Sequence, residues 1–107
     1  MAKYLIKASY GPEGIKGVMA KGGTARVDAV GKMIAEAGGS MESFYFAFGG
    51  DDAYVTVDAP NHEAMIAIAG AVTSTGVLSH YETIVLLTAE QIDNAANMPV
   101  AYTPPGS

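Results

Sequence analysis

Phe44-Tyr45-Phe46-Ala47-Phe48 and Ala53-Tyr54-Val55-Thr56-Val57-Asp58 read as two strands joined by Gly49-Gly50-Asp51-Asp52. Aromatic and β-branched residues suit a pleated, half-buried surface, and a glycine-rich acidic turn between them is a hairpin signal. A turn centred on Gly50 and Asp51 predicts the pairs Phe48 with Ala53, Phe46 with Val55 and Phe44 with Val57. Directly opposite residues share a face of the sheet, so this register builds one face of Phe and Val for helices to cover. The other face receives Tyr45, Ala47, Tyr54, Thr56 and Asp58. It is amphipathic, and helices on one side only leave it for a second subunit, so a homodimer or higher homo-oligomer is expected.

Working outward, Tyr4 to Tyr10 mixes aromatic and branched residues and stops at Gly11-Pro12, which predicts a first strand. If its Ile6 and Ala8 point to the helices, Leu5, Lys7 and Ser9 join the second face. Ile15, Val18 and Met19 fit a short helical turn that Gly22-Gly23 breaks. Thr24 is the expected N-cap of a longer helix carrying Val27, Val30, Ile34 and Ala37 at helical spacing up to Gly38-Gly39. Asn61 is the expected cap of a helix from about His62 to Thr73, ended by Gly76. Tyr81 to Thr88 reads as a fourth strand and Ala89 to Ala96 as a short closing helix. The plan is α+β: a ferredoxin-like βαββαβ unit with an antiparallel sheet, an extra C-terminal helix and a Pro-rich tail. Residues 1–97 are expected to form a single domain and residues 98–107 an extended tail, in which Val100 and Tyr102 offer apolar contacts to a neighbouring subunit.

Composition narrows the function classes. The chain has 107 residues, 50% of them hydrophobic and 16% charged, which is too apolar for disorder. With no cysteine there is no disulfide, thiolate metal site or cysteine nucleophile. Six Lys and Arg against eleven Asp and Glu give a net charge of −5. That balance argues against nucleic acid and anionic membranes as partners, since both need a concentrated positive patch. Lys3 and Lys7 interrupt the one N-terminal candidate for a signal peptide, and no apolar run is long enough to span a bilayer. A cytoplasmic protein is the expectation.

Several of these segments together resemble the GYD-domain family of small bacterial and archaeal proteins. They are Tyr4-Leu5-Ile6, Glu13-Gly14-Ile15-Lys16-Gly17, Gly38-Gly39, the aromatic second strand, Gly49-Gly50-Asp51-Asp52, Ala59-Pro60 and Glu82-Thr83, within residues 3 to 93. In the name-giving Gly-x-Tyr-Asp motif Gly49 and Asp52 match, while Asp51 stands where tyrosine is usual. The resemblance implies a ferredoxin-like fold of the dimeric α/β-barrel kind and no established reaction.

Chemistry is expected on the second sheet face. His80 and Glu82 are two residues apart on a strand and so share a face. A carboxylate beside an imidazole orients the ring for a general base, with Glu82 as the orienter. Lys7, Tyr45, Tyr54 and Thr56 are the expected ligand-binding residues around this pair. Ile84 and Leu86 lie on the same side of the strand as His80, so the sequence leaves open which side faces the cavity. Asp51 and Asp52 read as turn residues, His62 as a surface residue without a role, and Met19, Met33 and Met65 as core filling. Lys21-Gly22-Gly23-Thr24 reads as a helix break rather than an anion cradle. No cofactor or metal is implied. Three functions compete: an oligomer binding a small, largely apolar or aromatic molecule in a barrel cavity, with Lys7 or His80 orienting an acidic group; a cofactor-free monooxygenase- or isomerase-like enzyme using His80 and Glu82; and a purely structural assembly module.

Overall fold

A computed structural model describes residues 1–106; Ser107, the last residue of the expected tail, lies outside the described residues. The chain runs β1 (Ala2–Tyr10), α1 (Pro12–Lys21), α2 (Gly23–Glu36), β2 (Ser40–Phe46), β3 (Ala53–Ala59), α3 (His62–Thr73), β4 (Leu78–Leu86), α4 (Ala89–Ala96). The strands form one antiparallel sheet in the order β2-β3-β1-β4, the ferredoxin-like arrangement with β1 and β3 at the centre.

Period-two patterning explains the core. Along β1, Tyr4, Ile6 and Ala8 are buried and pair with Val57, Val55 and Ala53 of β3 on the same face. Ile34 from α2 and Ala64, Met65 and Ile68 from α3 close over them. Ile34 is fully buried, so truncation to Ala is expected to cost about 2–5 kcal/mol. Asn61 caps α3 as the sequence predicts, accepting a 2.9 Å hydrogen bond from the Ala64 N–H.

The hairpin register differs from the expected one by two residues: Phe46 faces Ala53 and Phe44 faces Val55, while Met41 takes the place opposite Val57. A slip of two preserves the faces, so Phe44 and Phe46 still point to the helix side. The slip comes from a longer connection, closed where the Ala47 N–H donates to the Asp52 carbonyl at 2.9 Å. Phe48 thereby leaves the sheet and is fully exposed. β2 begins at Ser40, earlier than expected, with an irregularity between Met41 and Ser43.

Other boundaries move for local reasons. The helical turn around Ile15 is a full helix, α1, with proline in its first turn. Thr24 does not cap α2: Gly22 occupies that position with φ of +88°, a conformation that glycine adopts freely. Gly39 is held by close approach, since a Cβ there would lie 2.6 Å from the Asp58 carbonyl oxygen. β4 begins at Leu78 and ends at Leu86, and Thr88 instead caps α4 in a reciprocal pair with Gln91. All of residues 89–106 are exposed. The radius of gyration is 17.2 Å, against about 13 Å for a compact chain of this length, because α4 and the tail extend from the body. Among the described residues no helix is long and apolar enough to cross a membrane.

Candidate functional site

The face of the sheet opposite the helices is built in rows. Tyr45, Tyr54, Lys7 and Glu82 stand opposite one another across all four strands, and Ser43, Thr56, Leu5 and Ile84 form the adjacent row. On this face Ile84 and Leu86 accompany His80 and Glu82, which settles the side of β4 that the sequence left open.

A polar cluster occupies the end of the sheet near the β2–β3 connection. Asp51, 6% exposed, is the buried polar residue among the described ones. Its Oδ1 accepts a hydrogen bond from the Ser9 hydroxyl at 3.0 Å and lies 2.8 Å from His80 Nδ1. Its Oδ2 lies 3.5 Å from Lys7 Nζ, which also sits 3.7 Å from Glu82 Oε1 and 5.9 Å from the centre of the Tyr54 ring. The neighbouring Asp52 ties the loop to β1: its Oδ2 accepts from the Tyr10 N–H at 2.9 Å, and its N–H donates to the Ala8 carbonyl at 2.9 Å.

The electrostatics follow from these contacts. The hydrogen bond from His80 holds the Asp51 carboxyl below its ordinary value; burial opposes this, and Ser9 and the Lys7 charge add to it. An ionised carboxylate only accepts, so His80 Nδ1 carries the proton and donates. In the neutral ring Nε2 is then left as an acceptor on a side chain that is half exposed. Glu82 raises the Lys7 pKa, against desolvation and with help from Asp51, so Lys7 is charged and matched on two sides.

His80 and Glu82 share the face anticipated for them, but they are not partners. Asp51 orients His80, and Glu82 pairs with Lys7. Tyr54 borders the cluster, whereas Tyr45 stands further out and largely exposed, and Thr56 is occupied by a hydrogen bond with Ser43. Lys7, engaged by two carboxylates, is poorly placed to orient an acidic ligand group. Asp51 is the residue that sequence reasoning missed, because an Asp on a glycine turn ordinarily bonds its own backbone. His62, exposed at the start of α3, has a structural contact: its Nδ1 meets the Tyr4 hydroxyl at 2.7 Å. Among the described residues there is no group of three or more His, Cys, Asp or Glu arranged to hold a metal ion.

Comparison with known proteins bears on the fold and the family. No curated protein matches the chain. The crystal structure of FFRP-DM1 superposes with a TM-score of 0.54 at 15% identity, covering 81% of this chain and 100% of that one, a likeness of fold alone. The model of the GYD domain matches residues 4–96, which take in all of the sheet but its first two residues and the polar cluster from Lys7 to Glu82, and the chain therefore belongs to the GYD-domain family.

Proposed function

We propose that the protein is a homo-oligomeric binding module, in which two open sheet faces meet and enclose a small molecule with an aromatic or apolar body and a hydroxyl group. The observation that carries this reading is the Asp51–His80 hydrogen bond, which engages Nδ1 and leaves Nε2 of the neutral, half-exposed ring as an acceptor at the end of the open face, next to the Lys7–Glu82 row and two rows from Leu5 and Ile84. A phenol-type ligand would donate its O–H to Nε2 and extend its apolar body along the face toward Leu5 and Ile84, with a few polar groups at one end of a largely apolar surface. Leu5, Ile84 and Leu86 on the open face, with Met98, Val100 and Tyr102 exposed on the tail, supply apolar surface for a second copy.

Native mass spectrometry of freshly purified protein tests this directly. A dimer or larger species that retains phenol or 2-naphthol, and loses it in His80→Ala, is the expected result. A monomer overturns the enclosed site; an oligomer that retains neither probe favours a purely structural module.

The same geometry favours a second reading, a cofactor-free enzyme. His80, oriented by Asp51, has the arrangement of a general base that removes a proton from a hydroxyl or an acidic carbon. Loss of turnover in both His80→Ala and Asp51→Asn, with the fold retained, is its signature.

A further inference from the structure

We propose that a second site, on the helix side of the sheet, binds a small carboxylic acid, with its apolar body in a cavity beneath α2 and α3 and its carboxylate on Arg26. The cavity has a volume of about 110 Å³ and is walled by Ile6 and Val55 of the sheet, Val30 and Met33 of α2, and Ile68 and Val72 of α3. Protein interiors are ordinarily close-packed, and atoms lining a void lose their dispersion contacts. An apolar cavity on the order of 150 Å³ stays dry and accepts benzene, so this one matches a short branched chain or a small ring.

The cavity does not stand alone. A cleft of about 470 Å³ between α1 and α2 shares Tyr10, Arg26, Ala29 and Val77 with it as common walls. Arg26 is the chain's one arginine, and among the described residues it forms no ion pair, whereas Lys3, Lys7 and Lys16 do. Lys21 also lines the cleft, and the single carboxylate there, Glu13, is paired with Lys16 at 3.4 Å. In a protein of net charge −5 the cleft thus presents unmatched positive charge at the mouth of an apolar cavity.

Two phenols add donors. Burial pushes the Tyr10 hydroxyl up, against the nearby charge of Arg26 and with that of the Asp52 carboxylate, so it stays a neutral donor. Tyr81, on the cavity wall, carries a buried hydroxyl that lies close to the Thr83 side chain but forms no well-aligned hydrogen bond. A planar carboxylate matches the guanidinium fork of Arg26 in a way that neither an alcohol nor an amine does. The open face offers an acid nothing comparable, because Lys7 is already held between Asp51 and Glu82. This site does not depend on dimerisation or on His80.

The experiment is amide NMR of the full chain titrated with isovalerate, hexanoate and benzoate, each against its alcohol. We expect shifts at Val30, Val72 and Tyr81, and acids bound more tightly than alcohols. Arg26→Gln should weaken acid binding about tenfold, the scale of one charge-assisted hydrogen bond, and leave the alcohols unchanged. Alcohol binding in Arg26→Gln shows that the cavity is intact in the variant. Equal affinity of acid and alcohol for the unaltered protein overturns the proposal, as does acid binding that Arg26→Gln leaves unchanged. Shifts confined to Ser9, His80 and Glu82 also overturn it, and place the probes on the other face.

Discussion

Asp51 and His80, 29 residues apart in the chain, meet through a 2.8 Å hydrogen bond at the end of the sheet. Their meeting requires that the β2–β3 connection fold over the end of β1, where Asp52 anchors it to the Tyr10 N–H and the Ala8 carbonyl. A turn residue thereby becomes the buried centre of a polar cluster.

The Asp51 carboxyl sits below its ordinary value, first because His80 donates to it. A depressed carboxyl stabilises the fold above its unfolded pKa and loses that contribution as pH falls through the folded one. Asp51→Asn should therefore melt below the unaltered protein at pH 7, with the gap closing below about pH 4. Thermal melts across pH 2 to 7 check this, and a gap independent of pH would contradict it.

Tyr81 carries a buried hydroxyl that lies close to the Thr83 side chain without a well-formed hydrogen bond, and burial raises its pKa against that contact. Tyr81→Phe should not destabilise the protein, and a gain on the order of 1 kcal/mol is expected from relieving the unmet desolvation. The folded state keeps its proton longer than the unfolded chain, so stability contributed by this group declines as pH rises above 10. Denaturant midpoints at pH 7 and pH 10.5 should show a smaller alkaline loss in the variant.

Tyr4, 1% exposed in the core, reaches the surface through its hydroxyl at His62. The two rings also meet edge to face, with centroids 5.7 Å apart. Tyr4→Phe and His62→Ala should each cost about 0.5–1.5 kcal/mol. Their double-mutant cycle should show non-additivity, because both changes remove the same bond. Additive effects in urea unfolding would mean that the contact contributes nothing.

Removing residues 98–107 deletes side chains that are exposed throughout the described part of the tail. The melting temperature should change by no more than the small surface effect, about 0.5 kcal/mol in stability terms. If the tail joins subunits, the native mass of the oligomer falls. An unchanged mass leaves association to the sheet face.

Much of the fold is legible in local pattern. Alternating burial along Tyr4, Ile6 and Ala8, the Asn61 cap and the helical spacing around Ile34 are short-range properties, and the structure reproduces them. The faces survive even where the hairpin register shifts by two, because side chains on a strand repeat with that same period. Boundaries such as Thr24 and Thr88 move because hydrogen bonding a few residues away decides which residue caps a helix.

The site divides along the same line. Parity alone puts Tyr45, Tyr54 and Thr56 on one face, adds Lys7 once Ile6 and Ala8 are given to the helices, and keeps His80 with Glu82, but it leaves open which face of the sheet that last pair shares. Pairings among charged groups are different, since they depend on which strands are neighbours and how a loop crosses their ends. Only the tertiary structure puts β1 between β3 and β4, which sets Lys7 beside Glu82 and brings Asp51 from its turn to His80. Hydrogen bonds act over about 3 Å, and no spacing along the chain encodes a contact that exists only after the sheet has closed.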